Sequence, residues 1–116
     1  MKQLKKVTID RRRWLRGQGS GNSYLQRRTD GKRCCLGFAC LTLGARVKEI
    51  VGKRYPEVVP SVWEKFGLYL KNYFRYRHWT FEAAQINDTT KITDPVREKR
   101  LIELAAKNGL KFVFTN

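Results

Sequence analysis

The chain has 116 residues, with 25 lysines and arginines against 10 aspartates and glutamates, so its formal net charge at pH 7 is +15. This length suits one domain with one core, and a 41% hydrophobic, 12% aromatic composition argues against disorder. No apolar run approaches the roughly 20 residues that cross a bilayer, and residues 1–10 lack the apolar stretch of a signal peptide. We therefore expect a single domain over residues 1–116, cytoplasmic and without a membrane partner.

The positive charge is concentrated near the N-terminus. Residues 1–33 carry 11 basic and 2 acidic side chains, residues 34–78 carry 8 and 3, and residues 79–116 carry 6 and 5. Self-repulsion of this size does not stabilise a fold, and a polyanionic partner is the usual reason for it. The composition therefore predicts DNA or RNA, or an acidic or nucleic-acid-bearing complex, as the partner.

The N-terminal third is predicted to form a strand, a short helix and a hairpin. Residues 4–9 alternate weakly between apolar and polar side chains, as a strand does. Asp10 is a suitable N-cap for a helix over residues 11–16. The Asp-Gly pair inside residues 23–35 favours a hairpin between two extended runs. The glycine-rich loop at residues 17–22 lies between these elements and lacks the pattern of a Walker loop.

The remaining two thirds contain several helix signals and one clear strand. A short buried helix begins at Leu36, and Gly44 lies near its C-terminal cap. Further helices are predicted around residues 47–51, 61–67, 80–87 and 95–107, the last with Asp94 as its cap, and a strand at 110–115. The secondary structure of residues 68–79 is undecided. Together these signals predict an α+β class, a single compact domain with three to five short helices packed on a small antiparallel sheet that includes the hairpin and the last strand.

Several motifs give the chain a resemblance to a known family. Trp14 and Gln18 precede a Cys-Cys-Leu-Gly-Phe-Ala-Cys run at residues 34–40, and Asn87-Asp88 follows an apolar helix. In this pattern the chain resembles a family of small uncharacterised bacteriophage and prophage proteins. No activity is established for that family, so the resemblance implies a phage origin and a bacterial host cell but no chemistry. The chain departs from the family pattern at residues 89–93, where a proline-started helix follows instead.

The cysteines Cys34, Cys35 and Cys40 have three interpretations. Free cysteines are ordinarily small buried hydrophobic side chains. A zinc site needs four ligands, and these residues with His78, the only histidine, lack a suitable spacing. In the third interpretation Cys35 is a thiol nucleophile at a helix N-terminus, with His78 as the base and Asn87-Asp88 supplying a third member. We predict no metal, cofactor or catalytic residue and keep a Cys/His-dependent hydrolase as an alternative.

The candidate nucleic-acid-binding residues form two groups. The first is a basic N-terminal face, rich in arginines that can each direct two N–H groups at one phosphate. Its members are Arg11, Arg12, Arg13, Arg16, Arg27, Arg28, Lys32 and Arg33. In the second group, aromatic rings would stack on unpaired bases beside cations; its members are Lys71, Arg75, Tyr76, Arg77 and Trp79. A solvated charged surface and ordinary core packing of the rings are the competing explanations.

These observations predict a small phage-type accessory protein that is not an enzyme. It would bind nucleic acid through the basic N-terminal face with low sequence specificity, because phosphate contacts position a protein without reading bases. An alternative is an inhibitor of a host defence complex, similar in role to anti-CRISPR proteins, that docks through the same face. The hydrolase that uses Cys35 and His78 is a further alternative.

Overall fold

Four α-helices and a two-stranded sheet form the described part of the chain, which in the computed structural model comprises residues 4–19, 22–66 and 78–116. In chain order the elements are β1 (Lys5–Asp10), α1 (Cys35–Thr42), α2 (Val47–Ile50), two 3-10 turns (Pro56–Val58 and Trp63–Phe66), α3 (Trp79–Asp88), α4 (Asp94–Lys107) and β2 (Leu110–Thr115). The broad α+β class fits this arrangement. Within the same residues, no helix is long and apolar enough to cross a membrane.

The sheet is parallel, so the predicted antiparallel sheet is wrong. β1 and β2 run side by side from Lys5 beside Leu110 to Asp10 beside Thr115. A parallel pair needs a long connection between its strands, and here almost the whole chain provides it, with α4 leading directly into β2. The prediction took a local hairpin as part of the sheet, whereas the strands that pair are the first and last elements of the chain.

The predicted hairpin over residues 23–35 forms its turn and one further bond between its arms, Cys34 N to Tyr24 O at 3.0 Å, but its arms are not strands of the sheet. Arg27 N donates to Lys32 O at 2.8 Å and closes the turn. The arm before the turn then pairs with a later segment, through a bridge between Gln26 and Val51. The Asp-Gly pair therefore forms the expected turn, but tertiary contacts add the partner that Gln26 meets.

No helix forms over residues 11–16, contrary to the prediction. The carboxylate of Asp10 accepts from Arg12 N at 2.9 Å and closes a turn instead. The following segment is extended, and Leu15 N donates to Arg33 O at 2.7 Å. Asp10 does accept a backbone hydrogen bond, as the sequence predicts, but the same side-chain acceptor can close a turn as well as cap a helix. The segment after the turn is extended because its backbone pairs with that of Arg33, which is distant in the sequence.

The core lies between the inner face of the sheet and helices α1, α3 and α4. Alternation along both strands buries one face, and α1 is buried from Cys35 to Cys40. All three cysteines are free and buried, as their interpretation as small apolar side chains predicts. Other core residues are Val7, Ile9, Leu25, Leu36, Ile50, Leu101, Leu110 and Phe112.

A close backbone approach explains the glycine of the cysteine motif. A Cβ built on Gly37 would lie 1.8 Å from the carbonyl oxygen of Leu25 and 3.1 Å from the Cβ of Arg33. The first distance is far inside van der Waals contact, and its partner is a backbone atom of the core. Only glycine allows α1 to pack this closely on the segment before the turn.

Substituting Gly37 by alanine is expected to lower the free energy of unfolding by about 3 kcal/mol or more, because α1 must move off its neighbour. Urea denaturation measures the loss. The control is Gly109→Ala, where a Cβ meets nothing within 4 Å and only the positive φ of 89° is strained, so a loss of about 1–2 kcal/mol is expected. Equal losses in the two variants would contradict the close-packing explanation.

Candidate nucleic-acid interface

Two turns that are distant in sequence meet and form what we call the basic cleft. One turn follows β1, and the other lies before α1. Arg33 N donates to Arg13 O at 2.9 Å, so the two backbones run side by side next to the turns. The cleft between them is open to solvent, and its lining residues are Asp10, Arg12, Arg13, Asp30 and Lys32. The three cations belong to the predicted face, whereas the sequence predicts only local cap and turn roles for Asp10 and Asp30 and not their place in the cleft.

Arg11 and Arg16 bind α4 and are largely neutralised. Arg11 donates from Nε and Nη2 to the carboxylate of Glu98, both at 2.8 Å. Arg16 donates from Nη2 to Asp94 Oδ2 at 3.0 Å, and its guanidinium lies 4.7 Å from the centre of the Trp14 ring. These two members of the predicted face therefore attach the N-terminal segment to the rest of the fold.

Arg27 forms an ion pair inside its own turn. Its Nη2 donates to Asp30 Oδ2 at 2.6 Å and its Nε to Oδ1 at 3.1 Å. Lys32 N also donates to Oδ1, at 3.0 Å. The hydrogen bond from Arg27, followed by that from Lys32 N, lowers the pKa of Asp30 to about 2, and the same pair raises the pKa of Arg27. Arg27 therefore stabilises the wall of the cleft.

The other members of the predicted face lack a buried carboxylate as a partner. Arg12 pairs with Asp10 at 3.2 Å, but 77% of its side chain is exposed, and such surface pairs contribute little. For four cations, no carboxylate of a described residue lies within 4 Å; these are Arg13, Arg28, Lys32 and Arg33. The cleft and its surroundings therefore carry positive charge that the described fold does not neutralise.

Arg33 is held beside another cation. Its Nε donates to Gln26 Oε1 at 2.7 Å, and its guanidinium lies 5.7 Å from the centre of the Phe38 ring. Burial, and then the charge of Arg13, lower the pKa of Arg33. Backbone pairing thus places two guanidinium groups close enough to repel each other. An anion bound near both would relieve that repulsion.

The predicted aromatic and basic group is described only at Trp79. Its indole Nε1 donates to Phe66 O at 3.1 Å, and the two rings lie 6.0 Å apart, so this ring packs within the fold. The other members fall outside the described residues; they are Lys71, Arg75, Tyr76 and Arg77.

Asn87 has a central structural position. Its Oδ1 accepts from the indole Nε1 of Trp14 at 2.8 Å and from Cys35 N at 3.1 Å, and its Nδ2 donates to Leu15 O at 2.9 Å. These contacts join the end of α3 to the start of α1 and to the segment that leads into the basic cleft. Nothing local in the sequence indicates these distant partners of Asn87.

The residues of the hydrolase alternative are occupied by other contacts. Cys35 is fully buried, and burial, followed by the nearby Cys34 and Asp88, raises its pKa well above the usual value. His78 caps α3, with Nδ1 accepting from Thr80 N at 3.2 Å. A nucleophilic thiol needs both solvent access and a lowered pKa, and Cys35 has neither in this arrangement.

Asn87→Ala is expected to lower the free energy of unfolding by about 2–5 kcal/mol, because it leaves the N–H groups of Trp14 and Cys35 buried without an acceptor. Urea denaturation again provides the measurement. The matched control is Asn108→Ala, which removes an exposed side chain that donates to Leu104 O, and a loss below about 1 kcal/mol is expected there. A comparable loss at both positions would remove the central role assigned to Asn87.

The Asp30 ion pair predicts a defined acid sensitivity. Since folding lowers the pKa of Asp30 from 3.8 to about 2, its stabilising effect is present above pH 3.8 and is lost as the pH falls through about 2. The variant Asp30→Asn keeps an acceptor for Lys32 N but removes the charge. Thermal melts should show the wild type more stable than the variant above pH 3.8, with the difference disappearing near pH 2. A difference that is independent of pH would contradict the assignment.

Comparisons with known proteins add no relative: no family model, no curated protein and no solved structure matches this chain. The resemblance to small phage proteins therefore stays a prediction, and the interpretation of the cleft depends on its geometry and charge.

Proposed function

We propose that this protein binds the phosphate backbone of nucleic acid through the basic cleft, with low sequence specificity. The observation that carries the proposal is the backbone pairing of Arg13 with Arg33. It brings together Arg13, Lys32 and Arg33, none of which has a carboxylate of the described residues within 4 Å. A phosphate would supply the missing negative charge, and its binding would release condensed counterions from the nucleic acid.

The exposed cations of the cleft have complementary roles in this proposal. Arg13 would direct two N–H groups at one phosphate, and Lys32 would act as a point charge from the opposite wall. Arg12 would exchange Asp10 for a phosphate at little cost, because an exposed ion pair contributes only about 0–1 kcal/mol. Arg28, which is also exposed, would extend the contact along the backbone.

Low specificity follows from what surrounds the cleft. Two rings of described residues lie beneath arginines of the predicted face, Trp14 beneath Arg16 and Phe38 beneath Arg33, and both rings are buried. Neither ring offers an open face on which a base could stack. Phosphate contacts would therefore provide most of the affinity, and these carry no sequence information.

The test is a salt titration of binding to duplex DNA and RNA of unrelated sequences. The double variant Arg13→Gln, Lys32→Gln should lower affinity on every sequence alike. It should also reduce the slope of log affinity against log salt by about 1.8, because each lost phosphate contact on duplex DNA removes about 0.9.

The matched control is Lys5→Gln, Lys111→Gln, which removes the same charge from exposed positions at the opposite end of the sheet. Its slope should equal that of the wild type. If both double variants reduce the slope equally, net charge rather than the cleft determines binding. An affinity of the wild type that does not fall as salt rises would contradict the proposed function itself.

A further inference from the structure

One edge of β1 faces away from β2 and is open. Lys5 N donates to Gly109 O, which fixes the phase of the parallel ladder, so every second residue from Lys5 onward bonds to β2. The residues between them, Lys6 and Thr8, direct their backbone N–H and C=O groups to the opposite side. No described residue forms a hydrogen bond with those groups. Both residues are exposed, so the edge is accessible.

The outer edge of β2 is different. Its outward-directed residues include Phe112, which is 2% exposed, and Phe114, whose ring packs 4.7 Å from that of Trp14. Phe112 is therefore shielded from solvent and Phe114 is half-buried, whereas Lys6 and Thr8 of β1 are exposed. An unpaired edge is ordinarily a site where another strand can add, and of the two strands only β1 is accessible in this way.

Unneutralised lysines lie beside the open edge. Lys5 and Lys6 are exposed on β1, and the register places Lys6 next to the exposed Lys111 of β2. Like charges at directly paired positions of a sheet destabilise it. No carboxylate of a described residue lies within 4 Å of any of the three ammonium groups. The open backbone groups and the positive charge therefore occur at the same place.

We propose that β1 receives an extended acidic segment of a partner protein as an added strand. The backbone of that segment would complete the hydrogen bonds of Lys6 and Thr8. Carboxylates at alternate positions of the added strand would face the ammonium group of Lys6 on the solvent side, and Lys111 would add positive charge from β2 on the far side of Lys6. Main-chain bonds would give the affinity, and the charge pattern would give the selectivity, as in other cases of strand addition.

Two other occupants fit the edge less well. A second copy of this chain would bring another net charge of +15 and its own lysines to the same edge, and lysine on an edge strand opposes self-pairing. A DNA backbone offers acceptors but no donors, so it would leave the outward C=O groups of Lys6 and Thr8 unpaired. A peptide strand supplies donors and acceptors in alternation.

The test uses the full chain and a synthetic octapeptide of alternating glutamate and threonine with blocked ends. We expect saturable binding below about 1 mM, with the largest amide chemical-shift changes at Lys6 and Thr8. The variant Thr8→Pro removes one outward N–H without removing a bond to β2, and proline is tolerated on edge strands. It should weaken binding of the octapeptide at least about tenfold. It should leave the slope of log affinity against log salt for duplex DNA unchanged.

A second measurement keeps the protein unaltered. Two further octapeptides carry N-methyl groups at alternate residues, one along each edge of the peptide strand. The peptide methylated on the edge that faces β1 should lose binding, and the other should keep it. Replacing glutamate by lysine in the octapeptide should also abolish binding. The double variant Lys6→Gln, Lys111→Gln should weaken binding of the octapeptide, whereas Arg13→Gln, Lys32→Gln should not.

Four results would overturn the inference. The first is that the octapeptide does not bind at about 1 mM, and the second is that the lysine peptide binds equally well. The third is that the Thr8→Pro variant binds the octapeptide undiminished and that both N-methylated peptides bind the wild type undiminished. The fourth is that duplex DNA displaces the octapeptide competitively. The last would assign the edge to a nucleic-acid surface. None of them depends on the salt titration that tests the cleft, so the two proposals can fail separately.

Discussion

The side-chain amide of Asn87 joins three segments that are far apart in the sequence. Its oxygen accepts from the indole of Trp14 and from the backbone N–H of Cys35, and its nitrogen donates to the carbonyl of Leu15. Buried donors and acceptors must find partners, and an amide supplies both from one small group. The position of the N-terminal segment against α1 depends on these bonds. The backbone pairing of Arg13 with Arg33, which forms the basic cleft, depends on the same bonds.

A buried cation supports the same region from the other side. Arg97 is 3% exposed and donates from Nη1 to the carbonyl oxygens of Ile86, Asn87 and Thr89, at 2.8, 3.0 and 2.8 Å. These carbonyls lie at the C-terminal end of α3, where helical acceptors lack partners within the helix and a positive charge is favourable. Arg97 therefore fixes α3 against α4 and keeps Asn87 in place.

The net charge of +15 thus serves separate purposes. One set of arginines holds the fold together through carboxylates and carbonyls, with Arg11, Arg16 and Arg97 as its clearest members. Another set remains exposed at the basic cleft, and a third, of lysines, lies along the open edge of β1. Charge that is buried or paired contributes to stability, whereas charge left unpaired in the described fold is the charge that the two proposals assign to partners. A count of cations in the sequence cannot separate these uses.

The sequence by itself determined the features that depend on near neighbours. Alternation predicted β1 and β2, and the apolar run and the proline-started helix predicted α1 and α4. Only the tertiary structure decided that the strands are parallel, that residues 11–16 are not helical, and which arginines are neutralised. Arg11 and its partner Glu98 are 87 positions apart. The physical reason is that strand pairing, ion pairing and the contacts of Asn87 join distant segments, and no local pattern encodes which distant partner a residue will meet.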